Sequence, residues 1–595
     1  MCGIVACRTH TPAVDYLLRA LRRLEYRGYD SVGVAVRTNT GSVARLRTVA
    51  RIGVLDDMVS KWTGAELDGV GIGHTRWATH GMVTETNAHP HADCTGEISL
   101  VHNGIIENAP KLREVLTASG HRFASEVDTE VLCHLIEEQL RLSGDLFEAV
   151  EGALAFVEGS WALAVLEHGT GRLVVAANGS PLIVARTRHG DFATSDVAAV
   201  ADWVDEFRVL EDGDVVDLSG TGRWRNRGVN ASPSVMTPCP WRAHDVAVNG
   251  YADFMAKEID EQPEAIARLV DELGSGISTG SLWAGMGLKP FDRLNILGCG
   301  TSLNAGQVIG RLVSRVGGLP VTTTIASEAG DEVIEPHTLR LAISQSGETA
   351  DVLHAIRPTG LVNPTLLALT NNSHSTLARR ADAVVRCHAG PEIGVAATKT
   401  FTCQIVAGVA VMVSALVAGG KLSRSAAGLL ADGLRALPDQ LAAAGTVAKC
   451  VVPEIAEALA SASGVVFIAR GTGLPYAAEG ALKLKELSYL WTEHCPAGEL
   501  KHGPLALISS GTPVVVVDNG DPKLAGNIAE VRARGGEVIT VGPTGSTVPI
   551  VTCPDASWGP LESTVALQIL ARTLALTLGC DVDKPRNLAK SVTVQ

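Results

Sequence analysis

Cysteine is the second residue of the chain, and removal of Met1 would leave the thiol of Cys2 and a free α-amine on one residue. An α-amine titrates at about pH 8, so a fraction of it is unprotonated at neutral pH and can accept the thiol proton. No separate histidine base is then required. A lone cysteine more often has no chemical role, so the prediction of a terminal nucleophile depends on the residues that accompany it.

Residues that could support amide hydrolysis through a thioester lie further along the chain. Such a reaction needs donors for an oxyanion, together with groups that hold the carboxylate and the α-amine of the substrate. Asn103 and Gly104 supply a side-chain amide and a backbone N–H. Arg76 can bind a carboxylate with two N–H groups, and Asp128 can pair with an ammonium. Taken singly, each is more often an ordinary surface or turn residue.

Two polar, glycine-containing strings in the second half each follow a strand-like run and open a helix-like one. They are CGTS from Cys299 and SQSGET from Ser344. Backbone N–H groups and the helix dipole favour a phosphate at such a position, and hydroxyl groups add donors without requiring Lys or Arg. A helix cap is the alternative for either string alone. Two such loops in one lobe favour a sugar-phosphate site.

Charged residues that could move protons on a sugar follow later in the chain. Glu479, Lys483 and Glu486 have i, i+4 and i, i+3 spacing and therefore share one helix face. Aldose–ketose rearrangement needs a carboxylate to carry a proton between C1 and C2 and a group that opens the ring. His502, on a glycine-flanked turn, could be that group. The alternative is a solvated ladder of salt bridges.

Several residues of the first half have side chains that can bind metals. They are His74, His80, His89, His91, His102 and Cys94. Their spacing fits no standard zinc template, so we expect neither a metal nor a cofactor.

The elements that must position these residues can be read from the hydrophobic pattern. Up to about Leu218, short strand-like runs such as Gly3–Val5 and Trp161–Leu166 alternate with helical stretches such as Val14–Leu24. Residues 219–248 lack periodicity and are predicted to be a linker. A charged helix is predicted over Phe254–Leu273.

The second half contains a faint internal repeat, in which an apolar run meets a glycine-rich turn and then a helix. Leu294–Leu297 and Val465–Ala469 begin the two copies. Strands that alternate with helices predict a doubly wound parallel sheet in each lobe. The apolar stretch Ile405–Ala418 is shorter than the roughly 20 residues that span a bilayer, and a buried helix is predicted there.

Bulk composition limits the class of protein. A chain of 595 residues is too long for one hydrophobic core, and 46% hydrophobic with 19% charged residues is typical of compact α/β proteins. The net charge of −14 argues against nucleic acid or an anionic membrane as a partner. The 12 scattered cysteines and the absence of a secretory leader predict free thiols in the cytoplasm.

Six separated strings of the first half resemble the type-2 glutamine amidotransferase family of N-terminal-nucleophile hydrolases. The strings are MCGIV, LRRLEYRGYDS from Leu21, GHTRWATHG from Gly73, NAHPH from Asn87, HNGIIEN from His102 and SEVDTE from Ser125. The resemblance implies an αββα glutaminase domain. It also implies a nucleophile, an oxyanion hole and glutamine-binding residues, namely Cys2, then Asn103 and Gly104, then Arg76, Trp77 and Asp128. Trp77 would also gate the passage of ammonia.

Strings of the second half resemble the isomerase half of the glutamine:fructose-6-phosphate aminotransferase family, which has two sugar isomerase (SIS) domains. The strings are CGTS, SQSGET, EIGVAATKTFT from Glu392, EGALKLKE, GELKHGP and the tail DVDKPRNLAKSVTVQ. The resemblance implies sugar-phosphate contacts by Thr301, Ser302, Ser344, Gln345, Ser346, Thr349 and Val395. It implies proton transfer by Glu486, ring opening by His502 across a homodimer interface, and a Schiff base at Lys590.

Together the two resemblances imply an α/β multidomain enzyme that makes glucosamine 6-phosphate from glutamine and fructose 6-phosphate. The expected domains are residues 1–218 for the glutaminase, 219–285 for the linker and leading helix, 286–440 and 441–580 for the SIS domains, and 581–595 for the tail. Departures from the family pattern stand at Ala6, Ala397, Lys584 and Gln595.

Other functions remain open at this point. The SIS lobes could act on a related ketose phosphate, or they could only sense a sugar phosphate. The joint presence of Glu486, His502 and Lys590 argues against a sensor, since sensing requires only the phosphate loops. A glutaminase with another acceptor is less consistent with the chain, because no ATP-binding glycine loop is present.

Overall fold

The computed structural model describes residues 2–62, 66–78, 81–220, 222–357, 364–551 and 556–593. The chain forms two compact units. Unit 1 comprises Met1–Ala247 with Ala589–Gln595, and unit 2 comprises Val248–Leu588.

Unit 1 consists of two sheets and their covering helices. Its strands are β1 (Gly3–Thr9), β2 (Ser31–Thr38), β3 (Val43–Thr48), β4 (Leu67–Arg76), β5 (His91–Ala92), β6 (Ile98–Ile106), β7 (Gly159–Glu167), β8 (Leu173–Asn178), β9 (Ile183–Thr187), β10 (Gly190–Thr194), β11 (Glu206–Val209), β12 (Asp214–Asp217), β13 (Trp224–Asn226), β14 (Val229–Asn230) and β15 (Thr237–Pro238). Its helices are α1 (Ala13–Leu24), α2 (Ile52–Ser60), α3 (Ala109–Ala118), α4 (Thr129–Ser143) and α5 (Leu146–Leu154).

The two sheets of unit 1 pack face to face. One sheet has the order β15-β11-β9-β10-β1-β4-β2-β3, and the other has the order β14-β13-β12-β8-β7-β6-β5. Ile4 and Ile72 of the first sheet share a buried core with Val175 of the second. Helix α1 covers the outer face of the first sheet, and α4 and α5 cover the second. These four layers confirm the expected αββα architecture.

The segment predicted to be a linker is partly strand. Strand β13 pairs with β12, and β15 pairs with β11, so residues up to Pro238 belong to the sheets of unit 1. These strands have only two or three residues each. Runs of that length are too short to show an alternating hydrophobic pattern, which explains why the sequence did not predict them.

Unit 2 contains two parallel sheets. Its strands are β16 (Arg293–Gly298), β17 (Val321–Ile325), β18 (Thr338–Ser344), β19 (Thr365–Thr370), β20 (Ala383–Arg386), β21 (Gly464–Ala469), β22 (Trp491–Pro496), β23 (Pro513–Val517), β24 (Glu537–Gly542) and β25 (Val548–Pro549). Its helices are α6 (Phe254–Asp260), α7 (Gln262–Leu273), α8 (Gly276–Thr279), α9 (Ser281–Ala284), α10 (Gly300–Gly317), α11 (Ala350–Ala355), α12 (Thr376–Arg380), α13 (Lys399–Ala418), α14 (Arg424–Leu459), α15 (Leu474–Ser488), α16 (Leu524–Arg532) and α17 (Ser563–Thr577).

The two sheets of unit 2 have the same strand order, which confirms the internal repeat. The first is β17-β16-β18-β19-β20 and the second is β22-β21-β23-β24-β25. In each sheet the first strand lies between the second and the third, so the order in which successive strands follow one another across the sheet reverses at the first strand. Ligands of doubly wound sheets bind at this switch point, beyond the carboxyl ends of the strands. In the first sheet these ends are Gly298 and Ser344.

Two helices differ from their predictions. The helix predicted over Phe254–Leu273 is divided into α6 and α7, and Pro263 stands in the first turn of α7, where its missing N–H is harmless. Helix α13 begins at Lys399, six residues before Ile405, because the polar side chains of its first turn are buried and have partners. The Lys399 ammonium, for example, pairs with Glu261.

Helix α13 is therefore longer than the sequence suggested. With 20 residues and a mean hydropathy of 2.1, it is long and apolar enough to cross a membrane by those two measures alone. However, 89% of the most apolar 18-residue stretch of this helix is buried inside the protein. Its side chains contribute to the core that α10, α14 and the first sheet share, so the prediction of a buried helix is confirmed.

Candidate active site

Cys2 immediately precedes β1, and the strand pairing fixes its surroundings. Gly3 pairs with Thr75 of β4, and a Cβ at Gly3 would lie 2.6 Å from the Thr75 hydroxyl. The two strands can therefore approach closely at this point. The Trp77 backbone N–H lies 3.3 Å from Cys2 Sγ. The Asn103 side-chain amide donates to the Cys2 carbonyl oxygen at 3.0 Å, so the structure brings Cys2, Trp77 and Asn103 together.

His74 holds the Asn103 side chain in this orientation. Its Nε2 lies 3.0 Å from Asn103 Oδ1 and 3.1 Å from the His102 carbonyl oxygen. Gly104, the next residue, has a φ of +136°, and a Cβ there would lie 2.1 Å from the Ser160 carbonyl oxygen. Position 104 therefore requires glycine. The sequence did not single out His74 for this task, because the contact spans β4 and β6.

Arg76 and Asp128 lie at the ends of two elements, β4 and α4. Arg76 ends β4, where its guanidinium donates to the carbonyl oxygens of Gly81 and Met82 at 3.4 Å. Burial lowers the pKa of Arg76, whereas the charges of Cys2, Asp30 and Asp128 favour its protonated form. Asp128 stands before α4 and accepts the Ile106 N–H at 2.8 Å. Arg76 thus interacts electrostatically with both the thiol of Cys2 and the carboxylate of Asp128.

The departure from the family pattern at Ala6 lies in the shared core of unit 1. Ala6 is fully buried and pairs with Ile72 and Ala193. Its methyl group packs with the inner faces of both sheets.

The loop after β18 is curled by its own hydroxyl groups. The hydroxyls of Ser344 and Thr349 lie 2.8 Å apart, and Ser344 Oγ accepts the Gly347 N–H at 3.0 Å. Ser346 Oγ accepts the Glu348 N–H at 3.1 Å. Gln345 is half-buried, and its carbonyl oxygen accepts from Asn371 at 3.1 Å. The predicted phosphate residues of the SQSGET string therefore share one compact turn at the switch point.

The first turn of α10, which follows β16, contacts the charged triplet on α15 and helix α13. Thr301 donates to Glu479 at 2.9 Å, and Ser302 accepts from the Gln404 amide at 3.1 Å. Lys483 Nζ lies 2.5 Å from Glu486 and 3.5 Å from Glu479. The triplet is a buried cluster and not a solvated ladder, because Glu479 and Lys483 are 2% and 1% exposed.

The charged groups of this cluster oppose the effect of burial on one another. Burial raises the pKa of Glu479, although Lys483 opposes that shift. Burial also works against the charge of Lys483, but Glu486 and Glu479 raise the pKa of the ammonium above its ordinary value. Glu486 is the member of the triplet with appreciable exposure, since 22% of its side chain is accessible.

Three other predicted residues lie on loops. The Val395 N–H donates to the Asp583 carbonyl oxygen at 3.0 Å, so the loop around Val395 is joined to residue 583 of the tail. His502 is exposed at the end of the 3-10 turn Ala497–His502. Lys590 is half-buried and lies in the segment that groups with unit 1.

Two of the remaining departures from the family pattern lie among the described residues. Ala397 is half-buried in the loop before α13. Lys584 donates its N–H to Asp581 at 3.0 Å. Gln595 lies outside the described residues.

The histidines between His74 and His102 that could bind a metal pack mainly on one another. His74 and His89 stack with ring centroids 4.0 Å apart, and His89 meets His91 edge-on at 4.7 Å. Burial lowers the pKa of His74 and of His91 to about 3, so both rings are neutral. His80 lies outside the described residues.

Comparison with family models gives the class of protein. A glutamine amidotransferase domain matches residues 74–201, and a SIS domain matches residues 288–414 and 458–547. The fold and these matched ranges therefore define a glutamine amidotransferase joined to a pair of SIS domains.

Relatives of full length give the particular family. A Thermus thermophilus protein named glutamine–fructose-6-phosphate aminotransferase (isomerizing) is 42% identical over 617 residues, covering all of both chains. A protein of the same name from Pseudomonas syringae is 40% identical over 623 residues, again covering both chains completely. The chain belongs to this aminotransferase family.

A solved structure agrees with that assignment for the second half. The C-terminal domain of glucosamine-fructose-6-phosphate aminotransferase from Francisella tularensis is 32% identical with a TM-score of 0.53. It matches 57% of the present chain and 99% of its own.

Proposed function

We propose that the chain releases ammonia from glutamine at Cys2 and uses it to convert fructose 6-phosphate to glucosamine 6-phosphate. The observation that carries the proposal is the contact of the Asn103 amide with Cys2, in a chain that also has the curled hydroxyl loop after β18. The family to which the chain belongs has relatives named for this reaction.

In the glutaminase half, the α-amine left by removal of Met1 takes the proton of the Cys2 thiol. Sulfur attacks the amide carbon of glutamine, and Asn103 and Gly104 stabilise the oxyanion that forms. As the adduct collapses, the α-ammonium returns its proton to the amide nitrogen, the carbon–nitrogen bond breaks and ammonia leaves. Water then hydrolyses the thioester to glutamate. Arg76 holds the substrate carboxylate and Asp128 its ammonium, with Trp77 beside the thiol.

In the sugar half, the hydroxyl groups of the first turn of α10 and of the loop after β18 hold the phosphate. His502 opens the ring, and Lys590 forms a Schiff base with the open-chain ketose as water is lost. Ammonia then attacks the Schiff-base carbon and displaces the Lys590 amine. Glu486 moves a proton from C1 to C2 of the resulting imine, which leaves the amine on C2 and the aldehyde at C1. Since His502 is exposed, we infer that it serves the site of a second copy in a homodimer. The described cysteines are free thiols, as suits the reducing cytoplasm that we infer as the location.

The experiment follows the amide nitrogen. Pure protein is incubated with fructose 6-phosphate and glutamine labelled with ¹⁵N in the amide, in excess unlabelled ammonium, and the product is identified by mass spectrometry. We expect ¹⁵N-glucosamine 6-phosphate with little dilution, because shielded ammonia stays neutral and does not mix with solvent. Cys2→Ala should form no labelled product, and Cys450→Ala, which alters another accessible thiol, should behave as wild type. A labelled product other than an amino sugar phosphate, or none, would overturn the proposal.

A further inference from the structure

A second group of polar side chains lies in unit 1 between three segments of chain. In the described part of the protein, Cys94, His121, His134 and Glu137 each place one possible ligand atom within 4.8 Å of the others. Cys94 follows β5, His121 follows α3, and the other two residues lie one turn apart on α4. His121, His134 and Glu137 are buried, while Cys94 is exposed at the edge of the group.

Four of the interatomic distances in this group match edges of a zinc-centred tetrahedron. Cys94 Sγ lies 3.6 Å from His121 Nδ1 and 3.5 Å from His134 Nδ1. Glu137 Oε2 lies 3.1 Å from His121 Nδ1 and 3.3 Å from His134 Nδ1. Ordinary zinc–ligand bond lengths at tetrahedral angles give about 3.6 Å between sulfur and nitrogen and about 3.4 Å between nitrogen and oxygen.

Neighbouring groups hold these atoms toward a common centre. Glu138 lies 2.8 Å from His121 Nε2, so a proton on Nε2 leaves Nδ1 free to act as a ligand. Arg141 bonds the other oxygen of Glu137. The Arg122 backbone N–H lies 3.3 Å from Cys94 Sγ, where it can donate to a thiolate. Outer contacts of this kind are usual around metal ligands.

We propose that Cys94, His121, His134 and Glu137 bind one zinc ion with a structural role. One thiolate, two imidazoles and one carboxylate form a donor set that suits tetrahedral Zn²⁺. The ion would join the turn after β5 and the segment after α3 to helix α4. Asp128 immediately precedes α4, so the ion would also steady the carboxylate that we place on the glutamine ammonium.

The alternative is a network of hydrogen bonds among the four side chains, with protons in place of the metal ion. Both histidines could donate Nδ1–H to Glu137 Oε2, which also accepts the Cys94 backbone N–H at 3.1 Å. A hydrogen-bonded network of this kind would retain no metal, so measurement of bound metal separates the two arrangements.

The test uses the full-length protein, stripped with a chelator, reloaded with ZnSO₄ and desalted. Mass spectrometry of the metal should find about one zinc per chain in wild type. We expect loss of that zinc in Cys94→Ser and in His121→Asn, and retention in Cys450→Ser, the matched change of an exposed thiol elsewhere. Retention by Cys2→Ala would show that the catalytic thiol is not the ligand, so the result is independent of the proposed activity.

Cobalt supplies a spectroscopic readout of the sulfur ligand. Wild type loaded with CoCl₂ should show a thiolate-to-cobalt charge-transfer band, and Cys94→Ser should lack it. Zinc should also raise the Tm of wild type but not that of Cys94→Ser. Wild type that keeps no more zinc after desalting than Cys94→Ser, or a cobalt band that persists in that variant, would overturn the proposal.

Discussion

The imidazole of His74 fixes the direction of the Asn103 amide. Its Nε2 faces two oxygens, Asn103 Oδ1 at 3.0 Å and the His102 carbonyl oxygen at 3.1 Å, and therefore carries the ring proton. Burial lowers the pKa of His74 to about 3, so the ring stays neutral and keeps this tautomer at any working pH. The amide nitrogen of Asn103 is thereby directed at Cys2.

The first prediction concerns this pair. His74→Leu should lower kcat for glutamine hydrolysis by about 100-fold, because loss of one oxyanion donor has an effect of that size. KM for glutamine should change much less, since the groups that hold the amino acid remain. Steady-state rates of glutamate release measure both constants. The exposed His244 provides the control, since His244→Leu should match wild type. An unchanged kcat in His74→Leu would contradict the positioning role of His74.

The second prediction concerns the buried ammonium on α15. Lys483→Met should destabilise unit 2 by about 3 to 5 kcal/mol, because it leaves the carboxylates of Glu479 and Glu486 without their cation. Thermal unfolding followed by calorimetry measures the loss. Arg435→Met, which breaks an exposed pair with Asp432, should cost less than about 1 kcal/mol. Equal effects of the two substitutions would show that burial does not set the energy of the triplet.

The residue types of the candidate sites could be predicted from the sequence better than the distances between those residues. Cys2, Asn103 and Arg76 could be chosen by residue type, and the structure places them together because β1, β4 and β6 are neighbours in two packed sheets. The spacing of Glu479, Lys483 and Glu486 also predicted a shared face. The sequence could not show that this face is buried, since its partner Thr301 is 178 positions from Glu479.

The four residues proposed to bind zinc also could not be grouped from the sequence alone. His134 and Glu137 have helical i, i+3 spacing, but Cys94 and His121 come from separate loops, and no short motif unites the four. His89 and His91 are nearer to Cys94 in sequence than His121 and His134 are. They pack on one another instead, because β4 and the segment before β5 bring their rings into contact.

The third prediction tests the hydroxyl loop after β18. Gly347 has a φ of +66°, and a Cβ there would lie 2.0 Å from Ser375 Oγ, so Gly347→Ala must distort the loop. Binding of fructose 6-phosphate should weaken by about tenfold or more, in line with loss of one or two hydrogen bonds to a charged group. Titration calorimetry measures the Kd.

A matched control separates the clash from the backbone strain. Gly420 has nearly the same φ, +68°, but a Cβ there would meet no atom within 4 Å. Gly420→Ala should therefore cost about 1 kcal/mol of stability and leave the Kd unchanged. If both variants bound the sugar phosphate like wild type, the loop would not be the phosphate site.

The last prediction concerns the pH dependence of stability in unit 1. Asp145 caps α5 by accepting the Glu148 N–H at 3.1 Å, and it pairs with Arg172 at 2.8 Å and with Arg223 at 3.0 Å. Burial opposes its charge, but these hydrogen bonds and cations lower the pKa of Asp145 to about 2. Because the folded pKa lies below the unfolded value of 3.8, the carboxylate stabilises the fold above about pH 4, and this contribution is lost as the pH falls toward 2.

Asp145→Asn keeps the cap and removes only the charge, since asparagine is an equally good cap. The variant should be less stable than wild type by about 1 to 2 kcal/mol at pH 7, and the gap should close between about pH 4 and pH 2. Thermal scans at a series of pH values measure it. Asp432→Asn removes an exposed charge, 71% accessible, and should change stability by less than about 0.5 kcal/mol at every pH. A gap that widened on acidification would show that Asp145 is not stabilised as a carboxylate.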